Sequence, residues 1–256
     1  MENKKILESK AKILLLCDEP QMFTMKYLIF IFSIGLLISC QTNTMTKRQT
    51  ALSAAEQQAS SPQQVFEELQ AGNVRYVNGT PHSVDAASLR SDTVDGQHPK
   101  AVVLSCIDSR VPVEILFDQH IGDIFVARVA GNFENNDILG SMEYACGVAG
   151  SKLIVVLGHA GCGAVKAACD GVELGHITEL LLSIQPAVDK AQSMMQRAPS
   201  SKDIAFVNTT IAENVRLTMA RILDKSSLLH ELYAAGSIQI VGGVYQLDSG
   251  EVTWLD

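Results

Sequence analysis

The chain has 256 residues, 47% of them hydrophobic and 19% charged, which is the balance of one globular domain rather than of a disordered or fibrous chain. Lys and Arg number 20 against 28 Asp and Glu, a formal charge of −8. There is no basic stripe to neutralise a phosphate backbone, so nucleic acid is not expected as a partner.

Met1–Thr24 carries both signs of charge and has no evident role, and the true start is either Met1 or Met25. From Met25-Lys26 the chain enters an apolar run, Tyr27–Ile38, well short of the roughly 20 residues a spanning helix needs. It reads as the core of a signal peptide over 25–39. The run closes on Leu37-Ile38-Ser39-Cys40, which resembles the lipobox of bacterial lipoproteins. That resemblance implies cleavage before Cys40 and lipidation of its thiol. The mature chain would then sit on the periplasmic side of the cell envelope and meet a membrane only through this anchor. Residues 40–62, rich in Gln, Thr, Ser and Ala, read as a flexible linker, and 63–256 as the folded domain. Of the six cysteines, Cys17 falls in the discarded segment and Cys40 takes lipid, leaving Cys106, Cys146, Cys162 and Cys169. A domain of this size needs no disulfides to fold.

Ser61-Pro62 opens a helix whose stripe of Val65, Phe66, Leu69, Val74, Tyr76 and Val77 ends near Asn78-Gly79, packing outside the core. Thr80–Pro99 is polar, without a sustained period, and reads as a long loop. Four short apolar runs rich in β-branched residues follow: 101–104, 124–129, 153–157 and 238–241. Helical segments lie between them near 138–148, 164–169 and 204–223. Strands alternating with helices predict an α/β fold, a mostly parallel central sheet with flanking helices. The turn Asp248-Ser249-Gly250 between two apolar segments predicts an antiparallel C-terminal edge.

Directly after the first of these runs comes Cys106-Ile107-Asp108-Ser109-Arg110, and directly after the third comes Gly158-His159-Ala160-Gly161-Cys162-Gly163. Both segments leave carboxyl ends of strands, where open α/β sheets bind ligands. Two thiolates and one imidazole suit zinc, and three protein ligands leave a fourth position open, as catalytic sites do. Cys106 and Asp108 share a side if the chain stays extended, so Asp108 either binds the metal or accepts a hydrogen bond from its water. Arg110 continues that period and can hold the carboxylate by a bidentate pair. Ile107 is turned away from the metal by the same alternation. Cys146 and Cys169 read as buried thiols. His82, His98, His120, His176 and His230 read as surface or capping residues, with His98 or His120 available as a proton relay.

Cys106-x-Asp108-x-Arg110 followed by His159-x-x-Cys162 resembles the metal signature of β-class carbonic anhydrases, over about Gln63 to Leu255. Gly96–Lys100, Arg128–Asn132 and Ser141–Ala145 extend the resemblance. It implies a β-carbonic anhydrase-like catalytic domain with one Zn2+ per chain on Cys106, His159 and Cys162. The implied reaction is reversible hydration of carbon dioxide to bicarbonate and a proton by zinc-bound hydroxide. Asp108 and Arg110 would be the catalytic dyad, and Gln97, Phe133 and Tyr144 would line the substrate pocket. A homodimer or higher homo-oligomer is implied as well, with the active site bordering the subunit interface. Some members carry an inhibitory bicarbonate site that depends on a Trp three residues before the first cysteine; Val103 stands there in this chain. Two other readings share the metal signature: the same scaffold acting on another small molecule such as carbon disulfide, or a non-catalytic, zinc-stabilised envelope binding protein.

Overall fold

The computed structural model of the chain describes Lys47, Arg48 and residues 50–256. The predicted signal peptide and Cys40 lie outside the described residues. In chain order the elements are β1 (Lys47–Arg48), α1 (Ala54–Ala59), α2 (Pro62–Val77), β2 (Ser83–Val84), α3 (Ala86–Asp92), β3 (Ala101–Ser105), α4 (Val113–Leu116) and β4 (Ile124–Arg128). There follow α5 (Asn136–Glu143), a π-helical turn (Tyr144–Val148), β5 (Leu153–His159), α6 (Gly163–Cys169), α7 (Gly175–Leu182), α8 (Gln185–Met195), α9 (Ile204–Lys225), α10 (Ser227–Ala234), β6 (Gln239–Tyr245) and β7 (Val252–Leu255).

The main sheet has the order β4-β3-β5-β6-β7, parallel except for the β6–β7 pair, and β1 with β2 makes a separate parallel pair. The turn predicted at Asp248-Ser249-Gly250 is present, closed by Gln246 N–H on the Glu251 carbonyl at 2.8 Å. β3 and β5 are buried along their whole length, as continuous apolar runs require. Their side chains alternate between two cores. Ala101, Val103, Leu153, Val155 and Leu157 face one, with Val65 and Leu69 of α2. Val102, Leu104, Ile154 and Val156 face the other, with Met142 of α5, Val215 and Ile222 of α9, and Leu229 of α10. Each fully buried aliphatic side chain of these layers contributes about 1.5–3 kcal/mol relative to exposure.

From β3 the chain moves to β4 on one side, then crosses to β5 on the other and continues outward to β6. The order therefore reverses between β3 and β5, and a crevice opens at their carboxyl ends. α9 lies close across this part of the sheet because Gly242 has no side chain: a Cβ there would stand 2.6 Å from both Met219 Sδ and Val215 Cγ1.

Several expectations are corrected. Part of the stretch expected to be a flexible linker is helical: α1 is closed by a capping box in which Ser53 Oγ accepts from Glu56 N–H and Glu56 Oε2 accepts from Ser53 N–H. Its Gln57 is buried and donates to the carbonyls of Pro99 and Ala149, both at 2.8 Å. One satisfied amide, not an apolar stripe, docks this helix, so composition did not reveal it. The predicted loop 80–99 contains β2 and α3, the latter started by Asp85 accepting from Ala87 and Ser88 N–H. α2 does not lie outside the core: Val65 and Leu69 are 1% and 0% exposed, and Asn73 ties the helix to Leu116, Gly250 and Val252. The helix predicted over 138–148 ends at Glu143 and continues as the π-helical turn. α7, α8 and α10 had no counterpart in the predicted elements.

Candidate active site

Cys106, His159 and Cys162 meet in the crevice, 4%, 0% and 1% exposed. β3 delivers Cys106 one residue past its end, His159 is the last residue of β5, and Cys162 caps α6. Their ligating atoms all lie within 4.8 Å of one another, and the two sulfurs are 4.0 Å apart. His159 Nδ1 stands 3.0 Å from the Ala160 carbonyl and donates to it, which leaves a bare lone pair on Nε2. That Nε2 is buried without a hydrogen-bond partner, a state that costs about 1–3 kcal/mol unless something binds there.

The hydrogen bond from Cys162 pushes Cys106 down to about 4 against the opposing effect of burial, while the same bond and burial push Cys162 up. Gly131 N–H supports the Cys106 sulfur at 3.4 Å. Gly131 sits at φ +83°, and a Cβ on it would be 2.4 Å from Ile184 Cδ1. Gly131→Ala is therefore expected to destabilise the fold by about 2–4 kcal/mol through left-handed strain and overpacking, measured by denaturant unfolding.

Asp108 and Arg110 pair as the spacing predicts. Arg110 Nε donates to Oδ1 at 2.9 Å, Nη2 to Oδ2 at 2.8 Å, and its backbone N–H to Oδ1 at 3.0 Å. The guanidinium holds the Asp108 carboxyl far below the usual carboxylate range. Asp108 Oδ2 reaches to 3.8 Å from His159 Nε2. The carboxylate thus borders the donor trio while committed to Arg110, and it is not part of the converging ligand group.

Arg128, at the end of β4, braces the site, a contact that sequence reasoning, which placed it only within a supporting stretch, did not assign. Its Nε donates to the Cys106 carbonyl at 2.8 Å and its Nη2 to the Asp108 carbonyl at 2.7 Å, fixing the loop that carries both residues. Side-chain identity says nothing of such backbone contacts, so no signal in one sequence could assign them. Arg128→Gln is expected to weaken metal binding at the trio about 10–100-fold, the usual range for a residue supporting ligand positions, read by competition with a chelator.

Of the predicted substrate residues, Phe133 is buried in the same cluster as Cys106 and Cys162. Tyr144 is 52% exposed, with its ring edge-on to Phe125, in a groove of about 750 Å³ lined also by Val102, Ala127 and Ile138. The trio does not line that groove. Gln97 is exposed, as is Ile107. Cys146 and Cys169 are buried free thiols, Cys146 pushed up to about 12 by burial.

The carbonic anhydrase family model matches residues 101–252. Carbonic anhydrase 2 of Mycobacterium tuberculosis strain H37Rv is 38% identical over 203 residues, 77% of this chain and 94% of that one. The chain belongs to the β-carbonic anhydrase family. Among solved structures, the β-carbonic anhydrase of Aspergillus fumigatus superposes with a TM-score of 0.60 at 26% identity, covering 66% of this chain and 81% of that one. A tetrameric β-carbonic anhydrase of Sordaria macrospora superposes with a TM-score of 0.57 at 24% identity, covering 63% and 82%. Membership makes the chain a carbonic anhydrase enzyme, with CO2 hydration as the family's reaction.

Proposed function

We propose that this enzyme interconverts carbon dioxide and bicarbonate with one zinc ion per chain held by Cys106, His159 and Cys162. The observation that carries the reading is the convergence of three buried donors on one point, with His159 Nε2 aimed there and bare. Two sulfurs and an imidazole nitrogen are a donor set that fits zinc and leaves a position open. Zinc bound there would supply a Lewis acid that makes hydroxide available from water near neutral pH.

The chain's own residues do the rest. Asp108, kept ionised by Arg110, is an acceptor and not a donor, so its Oδ2 can take a hydrogen bond from the attacking nucleophile and fix its orientation. Arg110 positions that carboxylate, and Arg128 positions the loop beneath both. Phe133 offers an apolar wall suited to an apolar substrate. The intact Asp108–Arg110 pair argues against a zinc-stabilised binding protein, which has no use for it, and the family relationship favours carbon dioxide over carbon disulfide.

The partly exposed β4 strand and the Phe125–Tyr144 groove support a homo-oligomer in which a second copy covers this face and brings Tyr144 into use. The N-terminal layout supports export and lipidation at Cys40. Mass spectrometry of membrane-fraction protein is expected to find a lipid-modified N-terminal Cys40, and a chain still beginning at Met1 or Met25 with a free Cys40 would contradict it.

Stopped-flow CO2 hydration by the purified, zinc-loaded enzyme tests the reaction. Fast hydration that disappears on chelation of the metal is expected. Full zinc content without hydration at any pH from about 6.5 to 9, the range that brackets a water acidified to near 7, would overturn the proposal.

A further inference from the structure

His82, Asp118 and His120 form a second group of metal-ligating side chains, whose ligand atoms also lie within 4.8 Å of one another. Asp118 Oδ2 is 2.8 Å from His82 Nδ1, and Oδ1 is 3.8 Å from His120 Nε2. The carboxylate forms the floor, with its side chain 1% exposed, while the imidazoles stand at the rim, 32% and 16% exposed. An ion can reach this point from solvent, and water can complete its coordination.

The surrounding backbone holds the group in shape. Asp118 follows α4 at φ +52°, a left-handed conformation that reverses the chain and turns its carboxylate toward His82. The His82 N–H donates to Asp118 Oδ1 at 3.0 Å, and the His120 N–H donates to Asp123 Oδ2 at 2.8 Å. Arg75 Nε of α2 donates to Asp118 Oδ2 at 2.5 Å. Two stretches distant in sequence, 75–82 and 118–123, thus converge on one buried carboxylate.

We propose that His82, Asp118 and His120 are a second metal site, for a divalent first-row transition ion of the zinc type. Two borderline imidazoles joined by one hard carboxylate suit Zn2+, Ni2+ or Cu2+, whereas Ca2+ and Mg2+ demand shells of oxygen. The site is the weaker of the two. It has no thiolate, and the Arg75 guanidinium repels a cation bound to the same carboxylate. It therefore fills after the Cys–His–Cys site and empties first under a chelator. An ion here cross-links the segment before β2 to the loop after α4. Because β2 pairs with β1, that link also secures the start of the folded domain.

Cobalt(II) titration of the metal-free full chain, followed by absorption spectroscopy and equilibrium dialysis, separates the sites. The first equivalent is expected to give the intense thiolate-to-cobalt charge-transfer band, and a second equivalent only weak d–d bands. In His82→Ala and in His120→Ala the second equivalent should bind at least about tenfold more weakly, while the charge-transfer band of the first survives and shows that the fold is intact. Zinc beyond the first equivalent should raise the thermal midpoint of the wild type and not that of either variant. Saturation of the wild type at one equivalent, as for a proton-linked clasp around Asp118, would overturn the proposal. So would a second equivalent that binds both variants undiminished, as on scattered surface histidines.

Discussion

Cys106→Ser is expected to lose both its zinc and its activity, with CO2 hydration falling at least about 10³-fold, equivalent to ~4 kcal/mol of transition-state stabilisation. The substitution is nearly isosteric in a site that is 4% exposed, so the fold should survive. What changes is ionisation. The Cys106 thiol is pushed down to about 4 by the hydrogen bond from Cys162, whereas a serine hydroxyl stays neutral throughout the range where the enzyme works. The shorter hydroxyl would also accept less well from Gly131 N–H, which is built to support a sulfur at 3.4 Å. Metal analysis and stopped-flow kinetics on the same sample read the outcome, and a variant with full zinc and wild-type rate would contradict the ligand assignment.

Asp108→Asn is expected to separate chemistry from metal binding. Zinc content should stay that of the wild type, because Asp108 lies outside the converging ligand group and is bound to Arg110. The hydration rate should fall about 10²-fold, within the range for loss of a positioned proton acceptor. Asparagine keeps one oxygen but presents an NH2 toward either the guanidinium or the nucleophile, so one of the two partners meets a donor. The loss should persist across pH. Arg110 depresses the carboxyl's pKa in the wild type, so the acceptor is present at neutral pH and stays ionised through mild acid, to be lost only as pH falls through that depressed value. A variant with wild-type rate at every pH would show that Asp108 does not touch the nucleophile. One that loses zinc would show it to be a ligand.

What was legible in the sequence lies close to the two buried central strands. β3 and β5 are continuous apolar runs because both faces of each are covered, and that pattern does not depend on distant context. Cys106 and His159-x-x-Cys162 follow those runs immediately, so placing the strands placed the donors. The Asp108–Arg110 pair was legible for the same reason, being local in sequence. Features made by contacts across the fold were not. α1 docks through the Gln57 amide, Arg128 acts on two backbone carbonyls, and the His82–Asp118–His120 group forms where the chain reverses at left-handed Asp118, two residues past α4. Tyr144 falls where α5 gives way to the π-helical turn, a change of helical pitch that apolar periodicity does not register. Gln97 and Tyr144 matched the family pattern, yet within one chain they face outward, because one sequence carries no information about what covers a surface.

The most direct test of the account is X-ray absorption at the zinc edge on the enzyme loaded with one equivalent of zinc. Two sulfurs at about 2.3 Å and one imidazole nitrogen at about 2.0–2.1 Å, with one further light atom, are expected. A shell of nitrogen and oxygen alone, or one of four sulfurs, would contradict the assignment of Cys106, His159 and Cys162 as the catalytic metal site.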